Sequence, residues 1–300
     1  MMTHMAAGAL FRDQPAERPA RWRLAALKRV PLVPLGIITL MVLTALLANV
    51  LTPYSPINIS LPDRLRPPFW EAGGSLAHPL GTDPMGRDLL TRLIYGTRIS
   101  LLVGCLGLIV GGGLGAALGL IAGYAGGRVD ALVMRVTDTA LSFPIILFAI
   151  LLVVVLGASI LTVVCAVALV LWARFARVIR GEALSIRERD FVALARIAGS
   201  SPLRIILVHL FPNVFNTLLV LLSLQVGWVI IVEASLSFLG AGVPPPTPTW
   251  GSMIAEGRDY IASAWWVSFF PGLAILATVL AFNLFGDWLR DALDPTLRQM

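Results

Sequence analysis

Charged residues are scarce in this 300-residue chain: Asp, Glu, Lys and Arg together make up 13% of it, about half the share found in a soluble domain. So few charges cannot cover a water-facing globule. With a hydrophobic fraction of 57% and a mean hydropathy of +0.85, the chain is expected in a membrane. Cysteine is nearly missing as well. Cys105 and Cys165 both fall inside apolar runs, where they read as small buried hydrophobes and not as a disulfide or a metal-ligand pair. There is no G-x-x-x-x-G-K-[ST] phosphate loop, no H-E-x-x-H, no C-x-x-C and no G-x-S-x-G. The chain therefore has no visible means of hydrolysing ATP or peptide, and no catalytic residue, cofactor or metal is assigned to it.

What is present is a series of apolar runs. A helix needs about 20 apolar residues to cross the hydrocarbon core, and six runs qualify: 31–52, 99–123, 138–156, 159–179, 213–238 and 267–289. The expected fold is all-α, a six-span membrane bundle forming one domain over 31–290, flanked by a basic segment at 1–30 and a tail at 291–300. The first run lacks a small-residue cleavage site and reads as an uncleaved anchor. The net charge of +6 comes almost entirely from Arg placed beside apolar runs, which is topogenic charge and not a nucleic-acid footprint. Arg12, Arg18, Arg21, Arg23, Lys28 and Arg29 precede the first run, and seven Arg lie between Arg174 and Arg204 after the fourth. Both segments are expected in the cytoplasm, with both termini there, and the loops 53–98 and 240–266 outside.

Several residues within the spans stand out. Gly107, Gly111, Gly115, Gly119, Gly123 and Gly127 recur every fourth residue, which strips one helix face of side chains and predicts close packing on a second helix. Arg174, Arg177 and Arg180 repeat every third residue, the spacing of a voltage sensor, but they follow Trp172 at a span end where they can reach water. Glu233 lies near the end of the fifth span. An ionisable group at that depth either faces a translocation path, where it could meet a peptide ammonium, or is hydrated or paired within the bundle. Pro144 and Pro271 are candidate kinks. The Pro244-Pro245-Pro246 run reads as a stiff extended segment, and Trp250, Trp265 and Trp266 suit an interfacial belt.

Between the fourth and fifth spans, 187–212 reads as a two-helix hairpin. Phe191, Leu194, Ala195 and Ala198 make one apolar face, and Gly199 stands where a left-handed C-terminal cap belongs. Ser200 or Ser201 can serve as the next N-cap, with Pro202 at the first helical position, before Leu203–Leu210 leads to Pro212. Two short helices are expected to meet at a right-angled corner, and the basic surface reads as a place for docking or for lying on anionic lipid.

This stretch, FVALARIAGSSPLRIILVHLFP, resembles the cytoplasmic loop of the transmembrane subunits of ABC importers, whose pattern is Glu-Ala-Ala, three residues, Gly, then about ten residues to Leu-Pro. Gly199, Arg196 and Pro212 fit that frame; Ala193 stands at the Glu position, Leu194 at the first Ala, Ala195 at the second, and Phe211 before the Pro. Three more segments, 78–104, 123–144 and 233–272, resemble the dipeptide, oligopeptide and nickel branch, specifically its second permease. The resemblance implies a non-catalytic permease subunit of an ATP-driven importer in the bacterial inner membrane. It implies pairing with a homologous second permease as a heterodimer, with two ATPases that carry ATP and Mg and with an external substrate-binding protein. Asp190, Ala193, Leu194, Ala195, Arg196, Gly199, Ser200, Pro202 and Pro212 would make the ATPase-coupling surface, and Glu233 is the candidate on the path. Dipeptides, longer peptides, glutathione-like peptides and nickel chelates all fall within the branch. The competing reading is an ion-coupled secondary transporter or a channel.

Overall fold

The apolar runs fold as helices, and several extend well past their apolar stretch. A computed structural model describes residues 30–293; the basic residues expected at 1–29, and 294–300 of the tail, lie outside the described residues. The helices are α1 Leu32–Leu51, α2 Leu89–Ala125, α3 Gly127–Ser142, α4 Ile145–Leu156 and α5 Ile160–Arg187. They continue with α6 Asp190–Ile197, α7 Pro202–Phe238, α8 Trp250–Gly257 and α9 Trp266–Leu293. Among the described residues the extended pairing is limited to one isolated bridge, Thr82 with Asp88.

Five helices, α1, α2, α5, α7 and α9, are each long and apolar enough to cross a membrane, and α3 with α4 makes a sixth if the bent pair counts as one. The third expected span, 138–156, is divided rather than kinked. Phe143 is forced to extended backbone ahead of Pro144, and the helices on either side differ in direction by 92°. Pro271, by contrast, sits inside one continuous α9. The second span begins ten residues before the expected 99, because Asp88 caps the helix there by accepting a hydrogen bond from the Thr91 N–H at 2.7 Å.

The glycine stripe packs on α5. A Cβ added at Gly115 would lie 2.2 Å from the Trp172 carbonyl oxygen, and one at Gly119 2.6 Å from that of Ala176. Such approaches let the two backbones touch and replace side-chain burial with dense backbone contact. The stripe is shorter than expected: α2 ends at Ala125, and Gly127, with φ +53° and open space around it, belongs to the start of α3. Core residues from α5, such as Val167, Leu171, Phe175 and Ile179, continue into Val214 and Leu218 of α7. Cys105 and Cys165 are exposed on the surface of the isolated subunit, correcting the expectation of burial.

Candidate functional site

The hairpin closes one end of the bundle. Helix α6 ends in a Schellman turn: the Ser200 N–H donates to Ala195 O and the Gly199 N–H to Arg196 O, each at 3.0 Å. Gly199 has φ +78°, a conformation that costs an L-residue about 1 kcal/mol or more. Ser201, and not Ser200, is the next N-cap, accepting from the Arg204 N–H at 3.4 Å, with Pro202 at the first helical position.

The second limb is not a separate short helix. It runs straight into the fifth span as α7, through a π-turn at Ile205–Leu210 in which the Phe211 N–H reaches back to Ile206 O. Pro212 supplies the reason: its ring presses on the carbonyl of the residue four before it and it has no N–H to give, and a widened turn relieves both.

The hairpin has a buried face and an exposed one. Val192, Ile205 and Leu210 are buried in the main core, with Ala195 partly buried against it. Phe191, Leu194 and Ala198 of the apolar face read from the sequence are exposed. Ile197 is 83% exposed and Leu203 66%, so an apolar edge faces away from the bundle around the Gly199 corner. Asp190, Ala193, Arg196 and Pro202 are exposed and Ser200 partly so, while the Arg196 guanidinium lies 5.3 Å from the centre of the Tyr124 ring.

From the hairpin, α7 carries a stripe of polar groups into the bundle. Asn213, Asn216 and Thr217 line a cavity of about 630 Å³ together with Glu182, Arg189, Pro212 and Arg290. Further along, Gln225 and Arg174 line a second cavity of about 390 Å³, and the Arg174 guanidinium sits 4.2 Å from the Trp228 ring centre. The other two arginines of the triplet are held by acids: Arg180 meets both oxygens of Asp130 at 2.7 and 2.5 Å, and Arg177 meets Asp138 at 2.5 Å. All three are thus fixed to α3 or α7, an arrangement unlike free gating charges.

Glu233, near the far end of α7, is 1% exposed. It accepts hydrogen bonds from Ser237 at 2.7 Å and from Ser100 of α2 at 3.3 Å. In the subunit alone it faces a neighbouring helix, the placement that pairing within the bundle requires.

At the opposite end from the hairpin, the segments before α2 and around α8 fold together into a cap. Asp83, fully buried, accepts from Arg87 Nε at 2.6 Å and also from Arg92. Both arginines also reach Glu256 of α8, Arg87 at 2.7 Å and Arg92 at 2.5 and 3.0 Å. Two acids and two guanidinium groups leave the cluster neutral, which is what makes its burial tolerable. Trp250 Nε1 donates to Leu93 O at 3.0 Å and Trp266 Nε1 to Thr82 O at 3.1 Å. Both rings are buried in the cap and do not form the expected lipid belt; Trp265, more exposed, donates to Glu71 at 3.0 Å. The proline run turns at Pro245–Pro246 and does not extend.

Two lines of comparison meet this geometry. Residues 115–299 match the family described as binding-protein-dependent transport system inner membrane component. This chain belongs to that family. The chain is 45% identical to the dipeptide transport system permease protein DppC of Escherichia coli K12 over 278 residues, 93% of each chain. It is 43% identical to the di/tripeptide transport system permease protein DppC of Pseudomonas aeruginosa over 277 residues, 92% of this chain and 91% of the relative. The glutathione transport system permease protein GsiD of Pectobacterium atrosepticum is 41% identical over 291 residues, 96% of this chain and 95% of the relative.

As a member of that permease family, the protein is a multi-pass inner-membrane transport subunit of the DppC-like ABC type. The family's match spans α5, the hairpin and α7, the elements that bring together Gly199, the exposed apolar edge and the polar stripe. Sequence reasoning found the hairpin but missed the stripe, although Asn213, Asn216 and Thr217 at intervals of three and four residues signal one helix face. It also missed the cap cluster, whose hydrogen-bonded partners lie up to 169 residues apart.

Proposed function

We propose that this chain forms half of the membrane pathway of an ATP-driven importer of dipeptides or closely related small peptides. A homologous second permease would supply the other half, two cytoplasmic ATPases carrying ATP and Mg would dock on the hairpins, and a binding protein would deliver substrate to the cap. In this reading the hairpin and both termini face the cytoplasm, as the arginines around 174–204 favour. One observation carries the proposal: the second limb of the hairpin is the first part of α7, and the polar stripe lies on that same helix.

A force applied at the exposed edge of Leu194, Ile197 and Leu203 therefore reaches the stripe through a single helix, while the buried Val192, Ile205 and Leu210 tie both limbs to the core. ATP-driven closure of the ATPases would tilt that helix and open the stripe to one side or the other. Docking of a loaded binding protein on the cap would bias the same equilibrium from the far end. The peptide substrate rests on the names of the relatives, among them a dipeptide permease 45% identical over 93% of the chain. The relatives reported above are named for dipeptides, di/tripeptides and glutathione, and none of them for nickel chelates or longer peptides.

The test is co-purification of the tagged subunit with ATPase chains and reconstitution with binding protein. Uptake of a labelled dipeptide that needs ATP is expected. Uptake driven by an ion gradient without ATP would replace this reading with the secondary-transporter one.

A further inference from the structure

The cavity beside the hairpin carries charges of both signs and two side-chain amides. It lies between the last turns of α5, the start of α7 and the end of α9, and measures about 630 Å³, within the range of small-molecule sites. Two guanidinium groups line it, Arg189 and Arg290, and among the described residues neither has an ion-pair partner. Glu182, also lining it, has no ion-pair partner among the described residues and accepts a hydrogen bond from Thr217 at 3.5 Å. Asn216 adds an exposed amide with no hydrogen-bond partner among the described residues, and Asn213 gives one amide hydrogen to His209 O at 2.7 Å. By contrast, the cavities around Phe148 and around Arg174 have arginine but no acid in their linings, and the one around Phe238 is apolar apart from Ser235.

Resting on the importer reading, we infer that this cavity is a release site for the zwitterion of a short peptide on the cytoplasmic side of the path. The two forks suit a planar carboxylate, which Arg binds through two parallel hydrogen bonds. Glu182 suits an ammonium. The amides of Asn213 and Asn216 suit the peptide group between the two ends. A phosphate would satisfy the arginines but would be repelled by Glu182, so the presence of that acid favours a zwitterion over a lipid headgroup or an inorganic anion. Weak binding is appropriate here, because a site at the end of a path must let its occupant go.

The experiment uses the assembled complex of both permeases and ATPases in nanodiscs, without binding protein, and measures equilibrium binding of labelled alanyl-alanine. Assembly of each variant is checked by size-exclusion chromatography. Saturable binding is expected. Arg290→Gln should weaken it about tenfold, the effect of losing one charge-assisted pair, with no further loss when the C-terminal amide of the peptide is used. Glu182→Gln should weaken binding of the free peptide but not of its N-acetyl form. Equal affinity for the free peptide in wild type and both variants overturns the proposal. So does displacement of the peptide by inorganic phosphate or by raising anionic lipid, which would assign the cavity to phosphate groups. The importer reading fails separately, by absence of ATP-dependent uptake in the wild-type complex.

Discussion

Glu256 of α8 and Arg92, in the first turn of α2, face each other in a two-point ion pair, with nitrogen–oxygen distances of 2.5 and 3.0 Å. They are 164 residues apart in the chain, yet this contact joins the two segments that make the cap. It also fixes the cap to α2, whose other end packs near the hairpin through Arg187, which donates to Gly123 O at 3.0 Å.

Removing the buried acid of this cluster should be costly. Asp83→Asn leaves the buried Arg87 and Arg92 short of one charge, and a loss of about 3 kcal/mol or more is expected. Glu256→Gln should cost less, because the Glu256 side chain is 29% exposed. Heat-induced unfolding of the purified subunit in detergent checks the order; an equal fall in midpoint for both variants would contradict the buried-cluster account.

The glycine stripe gives a paired prediction. Gly115→Leu forces a side chain into the Trp172 carbonyl oxygen, where even a Cβ would be at 2.2 Å, and should prevent α2 from seating on α5. Gly113→Ala, with nothing within 4 Å of the added carbon, should stabilise by about 0.5–1 kcal/mol through helix propensity. The yield of folded subunit and its unfolding midpoint separate the two, and similar behaviour at both positions would refute tight α2–α5 contact.

At the hairpin corner, the space around Gly199 is open, with no atom within 4 Å of an added Cβ, so only its positive φ resists substitution. Gly199→Ala should therefore cost about 1 kcal/mol locally and leave transport largely intact. Gly199→Glu adds the same backbone penalty and places a bulky charge beside the exposed apolar edge, and is expected to uncouple ATP hydrolysis from uptake by at least tenfold while the subunit still inserts. Normal transport by Gly199→Glu would count against the lever proposed above.

Ser237 and Ser100 donate to different oxygens of Glu233, at 2.7 and 3.3 Å; Glu233→Gln keeps an acceptor for one hydroxyl and offers an amide hydrogen to the other. Assembly should be unchanged, and uptake should stay within about twofold if the group serves the bundle, since the amide can hydrogen-bond both hydroxyls at modest cost. A collapse of dipeptide uptake with intact assembly would restore the path reading of Glu233.

The legible parts of this protein were those written in local pattern. The apolar runs announced the spans, Gly199 and Pro202 announced the hairpin corner, and the four-residue glycine rhythm announced a packed face. What escaped depended on contacts between distant residues or on competition between neighbours. Arg92 falls in the sequence within the loop expected at 53–98, and only Asp83 and Glu256, both outside α2, explain how it enters a buried site. Trp250 and Trp266 looked like belt residues because their carbonyl partners, Leu93 and Thr82, are far away in sequence. Pro212 looked like a helix boundary, the usual meaning of proline after an apolar run. The chain instead absorbs it by widening the turn before it.

That widened turn has a geometric consequence. A π-turn carries one residue more than the α-helix around it, and one residue corresponds to about 100° of rotation. The surplus at Ile205–Leu210 thus sets the phase between hairpin and span: Leu203 and Arg204 point to solvent while Val214 and Leu218 point into the core. Deleting one residue there would leave both pieces helical yet turn the stripe of Asn213, Asn216 and Thr217 away from the cavity it now lines.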